Sequence, residues 1–367
     1  MIQRIAILGV GLIGGSLGLA WKRSRPDLRI TGFDAPDVLE QAATLGIVDE
    51  KAATARHAVT EADLVVLAAP IGANLRLLEE AGPHLRPGAL VTDVSSVKKP
   101  ITEHARLFVG PENLFVGGHP MAGAERGGVA HADAFLFENA TYVLCPPEEE
   151  PEEWSEAYAD LIALVEETGA RILPLDAERH DRIAAAVSHL PQLLAVALMN
   201  HAAEAQAHDE AFLSLAAGGF RDMTRIASSP FRIWRDILVA NEGAVLDALG
   251  RFTSLLRTLR NRLIEEDLDA LEDAFERART LRETIPRDTK GFLHPLADVF
   301  VYVEDQPGAL FGITRTLFEA EISIKDIELL KIREGTGGTF RLGFSDETTA
   351  GAARDALERA GYRAHRL

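Results

Sequence analysis

The first fourteen residues constrain this chain most. Ile5-Ala6-Ile7-Leu8 is a short apolar run of the kind that forms a buried strand, and it breaks at Gly9-Val10-Gly11-Leu12-Ile13-Gly14. A strand that turns into a helix through G-x-G-x-x-G can hold a pyrophosphate. Gly9 permits the tight turn, Gly11 lets the backbone come close, Gly14 lets helix pack on strand, and the phosphate rests on the helix N-terminus. Glycine-rich turns are common, so the motif alone is weak. It gains force from Asp34, at the end of the second apolar run and twenty residues beyond Gly14. A carboxylate there accepts a hydrogen bond from an adenine ribose 2′-hydroxyl. Asp34 repels a 2′-phosphate, and Ala35-Pro36 supplies no arginine to receive one, so NAD is expected rather than NADP. Leu12, Ile13 and Pro70 are assigned to the same cofactor site.

The rest of the chain divides by periodicity. Over residues 1–175 short β-branched runs alternate with helical segments: Ile30 to Phe33, Leu64 to Ala69, Leu90 to Asp93, Leu114 to Gly117 and Tyr142 to Leu144 follow the opening run. That alternation predicts an α/β, Rossmann-type doubly wound sheet, mostly parallel, with helices on both faces. The acidic run Pro146 to Glu153 reads as a solvated connection. Residues 176–285 lose the strand pattern. Ile183, Val187, Leu190, Leu194 and Leu198, and later Leu255, Leu259, Leu263 and Leu271, recur at helical spacing, which predicts an all-helical second domain. Its apolar faces exceed what one slim bundle needs, so a homodimer is expected. Pro191 predicts a kink or break near His189. Residues 286–296 read as a linker. Residues 297–367 then read as βαββαβ, a split-βαβ, ferredoxin-like unit.

Composition limits the partners. Asp and Glu number 56 against 38 Lys and Arg, giving −18 over 367 residues. A nucleic-acid backbone needs a basic footprint, so it is not the expected partner. Small anions remain possible through local arginines and helix N-termini. Cys145 is the single cysteine, which excludes an intrachain disulfide and a cysteine-based zinc site and fits a reducing cytoplasm. No consecutive apolar run reaches the ~18 residues of a membrane span, and the glycine-rich start does not read as a signal peptide. No metal is expected.

Ionisable residues gather where such a fold binds ligands, outside the carboxyl ends of the strands. Asp93-Val94-Ser95-Ser96-Val97-Lys98 follows one strand, and Gly117-Gly118-His119-Pro120-Met121-Ala122-Gly123 follows the next, with Pro120 fixing the direction of His119. The helical domain adds Ser188-His189-Leu190-Pro191 and Gly218-Gly219-Phe220-Arg221-Asp222-Met223-Thr224-Arg225-Ile226-Ala227.

In this order and spacing, these segments resemble the prephenate/arogenate dehydrogenases of tyrosine biosynthesis, over residues 1 to about 285. Asp305-Gln306-Pro307-Gly308-Ala309-Leu310 in the tail resembles an ACT regulatory domain, which some members of that family carry. The resemblance implies NAD-dependent oxidative decarboxylation of prephenate to 4-hydroxyphenylpyruvate. It implies His119 as the general base on the ring hydroxyl, and Ser96 as the group bridging hydroxyl and nicotinamide. Arg225 matches the arginine holding a substrate carboxylate, a task suited to a guanidinium fork. His189 matches a second histidine near the substrate and Trp234 an aromatic beside it. Glu125 and Arg221 match a charged pair at the pocket mouth, although many relatives carry Lys where Arg221 stands. Asp305, Pro307 and Gly308 would hold an amino acid, implying tyrosine as an inhibitor.

Each residue also has a plain structural reading. His119 could brace a loop, Ser96 could cap a helix beginning at Val97, His189 could be a core histidine, and Arg225 could pair with Asp222. His57, His84, His104, His180 and His208 read as structural or exposed. Arogenate is the rival substrate within the family. A β-hydroxyacid dehydrogenase would leave the histidine and arginine motifs unexplained, and a non-catalytic amino-acid sensor would have lost His119, Ser96 and Arg225.

Overall fold

The computed structural model describes residues 2–123, 126–147, 155–206, 211, 213–284, 296–304, 306–333 and 337–366. Glu125, Asp305, most of the acidic run and all of the expected linker except Leu296 lie outside them. The chain forms two compact units, Met1–Phe275 and Glu276–Leu367.

The first unit is built on eight strands: β1 (Arg4–Leu8), β2 (Arg29–Phe33), β3 (Glu50–Lys51), β4 (Leu64–Leu67), β5 (Leu90–Asp93), β6 (Leu114–Pro120), β7 (Thr141–Cys145) and β8 (Arg171–Pro174). They lie in the order β3-β2-β1-β4-β5-β6-β7-β8. β1 to β6 are parallel, β7 runs antiparallel to β6, and β8 is parallel to β7. Alternate residues feed two cores: Ile5, Ile7, Leu64 and Val66 face one cluster, and Ala6, Leu8, Val65 and Leu67 the other. That is why these strands read as continuous apolar runs. β3 and β8 carry no such signal. β3 is two exposed charged residues and β8 is a largely exposed edge, so only their pairing defines them.

The helical part of this unit opens with Ala177–Ala184, passes through a π-helical turn at Ala185–His189 and continues as Leu190–Gln206. Pro191 therefore neither breaks nor ends the helix. It has no N–H to offer the carbonyl four residues back, and the wider turn absorbs this: Leu190 N–H donates to the Ala185 carbonyl, five residues back. By length and composition the stretch Ala177–Glu204 is apolar enough to cross a membrane, with a mean hydropathy of 1.5, a property that consecutive-run counting misses. It buries His180, Asp181, His189 and Gln192, the polar groups of a protein interior. Gly218–Thr224, Phe231–Ala240, Glu242–Ile264 and Leu268–Thr284 follow. Phe231, Val239, Leu255, Leu263 and Phe275 on these helices are exposed.

The second unit contains β9 (Ala297–Val303), β10 (Asp326–Arg333), β11 (Gly337–Phe344) and β12 (Arg363–His365), with helices Ala309–Glu319 and Glu347–Arg359. The order β10-β11-β9-β12 is antiparallel throughout, the ferredoxin-like arrangement expected of a βαββαβ chain. Val299, Val301, Ile313, Leu342, Phe344 and Leu357 form its core.

Candidate active site

The parallel strands β1, β4, β5 and β6 end on one edge of the sheet. At β1 the helix Leu12–Ser24 starts with Gly11 as N-cap and no side chain capping it, so its first amides point outward unsatisfied. Gly9 has φ +103°, and a Cβ there would lie 2.5 Å from the Ala69 nitrogen. A Cβ on Gly14 would lie 2.1 Å from the Gly9 carbonyl oxygen. A Cβ on Gly11 meets nothing within 4 Å. Two glycines thus close the turn and the third faces open space, which fits a pyrophosphate seated on the Leu12 and Ile13 amides. Asp34 stands just past β2. Its Oδ2 accepts from Val10 N–H and its Oδ1 from Ala35 N–H, both at 2.7 Å. The carboxylate is fixed beside the glycine turn with lone pairs left for a ribose. Pro70 caps the helix Ile71–Ala81 on the same edge.

His119 lies within β6, opposite Val143 of β7, and not in a loop after the strand as the glycines suggest. Pairing with β7 carries the strand through Gly117 and Gly118 to Pro120. The His119 ring is half-buried, and its Nδ1 lies 2.8 Å from His180 Nε2. His180 is buried, with its Nδ1 2.8 Å from Asp181 Oδ1. Burial, reinforced by the Lys98 charge and by the repulsion that a protonated His180 or His189 would add, holds the His119 imidazole well below its ordinary value of 6.5. It is therefore a neutral base at neutral pH.

Ser96 sits half-buried in the turn after β5. The helix there starts at Lys99, not Val97, and no side chain of its own segment caps it. The cap comes from Asp181, whose Oδ1 and Oδ2 accept from Lys98 N–H and Lys99 N–H at 2.7 and 2.8 Å. Ser95 takes the structural role in the turn: its hydroxyl accepts from Asn74 at 3.0 Å. Among the described residues nothing engages the Ser96 hydroxyl.

His189 is buried, and Asn241 settles which of its nitrogens carries the proton. The Asn241 amide nitrogen donates to the Asp181 carbonyl at 2.8 Å and lies 3.3 Å from His189 Nδ1. His189 Nδ1 accepts, so Nε2 bears the hydrogen. Burial pushes the ring down to about 4, against the Asp181 charge, which acts the other way, and His189 is a neutral donor. Trp234 meets it edge-on, with 6.0 Å between ring centroids. Arg225 opens the 3₁₀ turn Arg225–Ser228. Gln192 ties that turn to the His189 helix by donating to the Ile226 carbonyl at 3.0 Å. Arg221, one helical turn earlier, is exposed, as is Arg225. Among the described residues no group of three His, Cys, Asp or Glu side chains could hold a metal.

In the sequence His180 reads as structural or exposed, and nothing singles out Asp181 or Asn241. The available signal was the His180-Asp181 pair at the start of an otherwise apolar-faced helix, where polar groups are costly to bury without a partner.

A glycine turn closed by β1, with a neutral imidazole on β6 and a helical neighbour in the same unit, is the arrangement of a dinucleotide-dependent oxidoreductase. Residues 17–174 match the family model of the prephenate dehydrogenase nucleotide-binding domain, and residues 176–277 that of its dimerization domain. The chain belongs to the prephenate dehydrogenase family. Prephenate dehydrogenase of Bacillus subtilis is 36% identical over 365 residues, spanning 99% of this chain and 98% of the relative. Cyclohexadienyl dehydrogenase of Zymomonas mobilis is 32% identical over 290 residues, spanning 78% and 98%. The solved structure of prephenate dehydrogenase from A. aeolicus, in complex with hydroxyphenyl propionate and NAD+, aligns with a TM-score of 0.70 at 29% identity, covering 78% of this chain and 99% of that one.

Proposed function

We propose that the protein oxidises prephenate with NAD, yielding 4-hydroxyphenylpyruvate, carbon dioxide and NADH. The observation that carries this is His119: a neutral imidazole on the ligand edge of the sheet, with Nδ1 engaged by His180 and Nε2 left for a substrate. NAD, when bound, would supply the hydride acceptor for the ring carbon bearing the hydroxyl. His119 takes the hydroxyl proton at Nε2. With the hydride gone, the bond from the ring to its carboxylate breaks, its electron pair makes the ring aromatic, and His119 returns the proton to the ring oxygen. General-base action of this kind contributes about 10²–10⁴-fold. Gly9, Gly11 and Gly14 shape the pyrophosphate turn, the Leu12 and Ile13 amides hold it, Asp34 takes the ribose, and Pro70 and Ser96 line the nicotinamide end. Ser96, unengaged in the turn, bridges the hydroxyl. Arg225 holds a carboxylate, His189 donates through Nε2–H, Trp234 packs beside it, and Arg221 stands at the mouth, a role the resemblance shares with Glu125, which lies outside the described residues.

Residues 1–175 bind the nucleotide, and 176–285 complete the substrate site and form a homodimer through the exposed Phe231, Val239, Leu255 and Leu263. Residues 297–367 are an ACT-like unit that senses tyrosine. Its support is the left-handed Gly308, φ +87°, capping the helix Ala309–Glu319 behind Pro307. Asp305 would complete that site. The expected compartment is the cytoplasm.

The test mixes purified protein with NAD or NADP and with prephenate or arogenate, follows the absorbance of reduced nicotinamide, and repeats with tyrosine. Prephenate with NAD should turn over and His119→Asn should not. Strict NADP dependence, or full turnover by His119→Asn, overturns the reading. Unchanged tyrosine sensitivity after deletion of residues 296–367 refutes the regulatory part.

A further inference from the structure

We propose that His180 and Asp181 are positioning residues that set the tautomer of His119, so that its bare nitrogen is Nε2; the inference rests on His119 being the base. With Asp181 ionised and His180 uncharged, the chain of contacts admits one proton arrangement. Both Asp181 oxygens already accept backbone N–H groups, from Lys98 and Lys99, so the carboxylate can only accept from His180 Nδ1, 2.8 Å away. The reverse would set two acceptors against each other. With its hydrogen on Nδ1, neutral His180 offers a bare Nε2, and His119 Nδ1, also 2.8 Å away, must be the donor. That leaves the Nε2 lone pair of His119, and among the described residues no protein group takes it.

The same line of contacts steadies the product of proton transfer. A proton accepted at His119 Nε2 leaves Nδ1–H bonded to His180, and the new positive charge points along the His180 ring toward the Asp181 carboxylate. Lys98 also faces this region, but its ammonium is matched by Asp93, and His189 is held neutral. Capping the helix Lys99–Phe108 needs only Asp181. The bonds of His180 run to Asp181 and His119, so capping does not account for the His180 ring. A carboxylate that fixes the tautomer of a catalytic histidine is worth about 10⁴-fold in the serine-protease triad; here a second imidazole stands between carboxylate and base.

Two variants and one spectrum test this. Gln carries an oxygen near the position of the imidazole Nε2, so His180→Gln can still accept from His119 Nδ1–H, whereas His180→Leu cannot. His180→Leu should lose about 10²-fold in kcat, with KM for prephenate and NAD within about threefold, and His180→Gln should recover to within about tenfold of the parent. In substrate-free protein labelled with ¹⁵N-histidine, His119 should be protonated at Nδ1, and His180→Leu should shift it toward Nε2–H. Full kcat in His180→Leu overturns the proposal. So does an equal loss in both variants, or a parent His119 protonated at Nε2. The spectrum needs no substrate: a parent protein with the Nδ1–H signature that fails to oxidise prephenate refutes the functional reading and leaves the tautomer assignment standing.

Discussion

Lys98 and Asp93 form an ion pair in which neither side chain is exposed, and between them they hold both backbone polar groups of Gly118. The Lys98 ammonium donates to the Gly118 carbonyl at 2.6 Å, and Asp93 Oδ1 accepts from Gly118 N–H at 3.0 Å. The residue before His119 is therefore clamped from β5.

Lys98→Met leaves the Asp93 carboxylate buried without its partner. The expected cost is about 3–5 kcal/mol, together with loss of activity from a displaced His119. Denaturant unfolding measures the first and turnover the second. The double variant Lys98→Met/Asp93→Leu should recover most of the stability and none of the activity, because the Gly118 clamp is still gone.

Both site histidines titrate low, and this fixes two pH dependences. His119 must be neutral to accept a proton, and burial holds it well below 6.5. The acid limb of kcat/KM should fall below that value, with activity level through neutrality. Stability follows the same sign. Below pH 6.5 the unfolded chain protonates histidines that the folded chain keeps neutral, so stability is full above 6.5 and declines as pH falls toward about 4, where His189 titrates. Urea midpoints across that window measure it, and His189→Gln should flatten part of the decline.

The three glycines of the turn should separate fold from binding. Gly14→Ala drives a Cβ to 2.1 Å from the Gly9 carbonyl oxygen and should lower Tm of the cofactor-free protein. Gly11→Ala meets no protein atom within 4 Å. It should leave that Tm unchanged and weaken NAD binding at least tenfold, read by titration calorimetry.

Replacing the fork at position 225 should act on binding. Arg225→Lys keeps the charge and loses the paired donors, so the prephenate KM should rise about tenfold or more with a smaller change in kcat. Steady-state kinetics at saturating NAD separate the two.

Much of the architecture was legible because local rules fix it. The buried strands are continuous apolar runs, the turn after β1 needs glycine at Gly9 and Gly14 on steric grounds, and the change from strand to helical periodicity marks where the sheet ends. Where no local signal exists, the reading fell short. β3 and β8 are short or exposed edges. The strand character of His119 comes from β7, twenty-two residues further on. Pro191 predicts a kink or break near His189 from its missing N–H; the irregularity is there, as a wider turn that lets the helix continue.

The candidate site divides the same way. By themselves, the residue types and spacings determine a glycine turn between strand and helix, an acidic residue at the end of the second strand, and histidines and arginines in a fixed order. Only the tertiary structure decides how those side chains are protonated and held. His180 and Asp181 reach His119 across sixty-one residues of chain, and Asp181 caps a helix more than eighty residues before it. Hydrogen-bond partners of that separation leave no periodicity in a sequence. They exist only when packing removes water and makes each buried polar group find another.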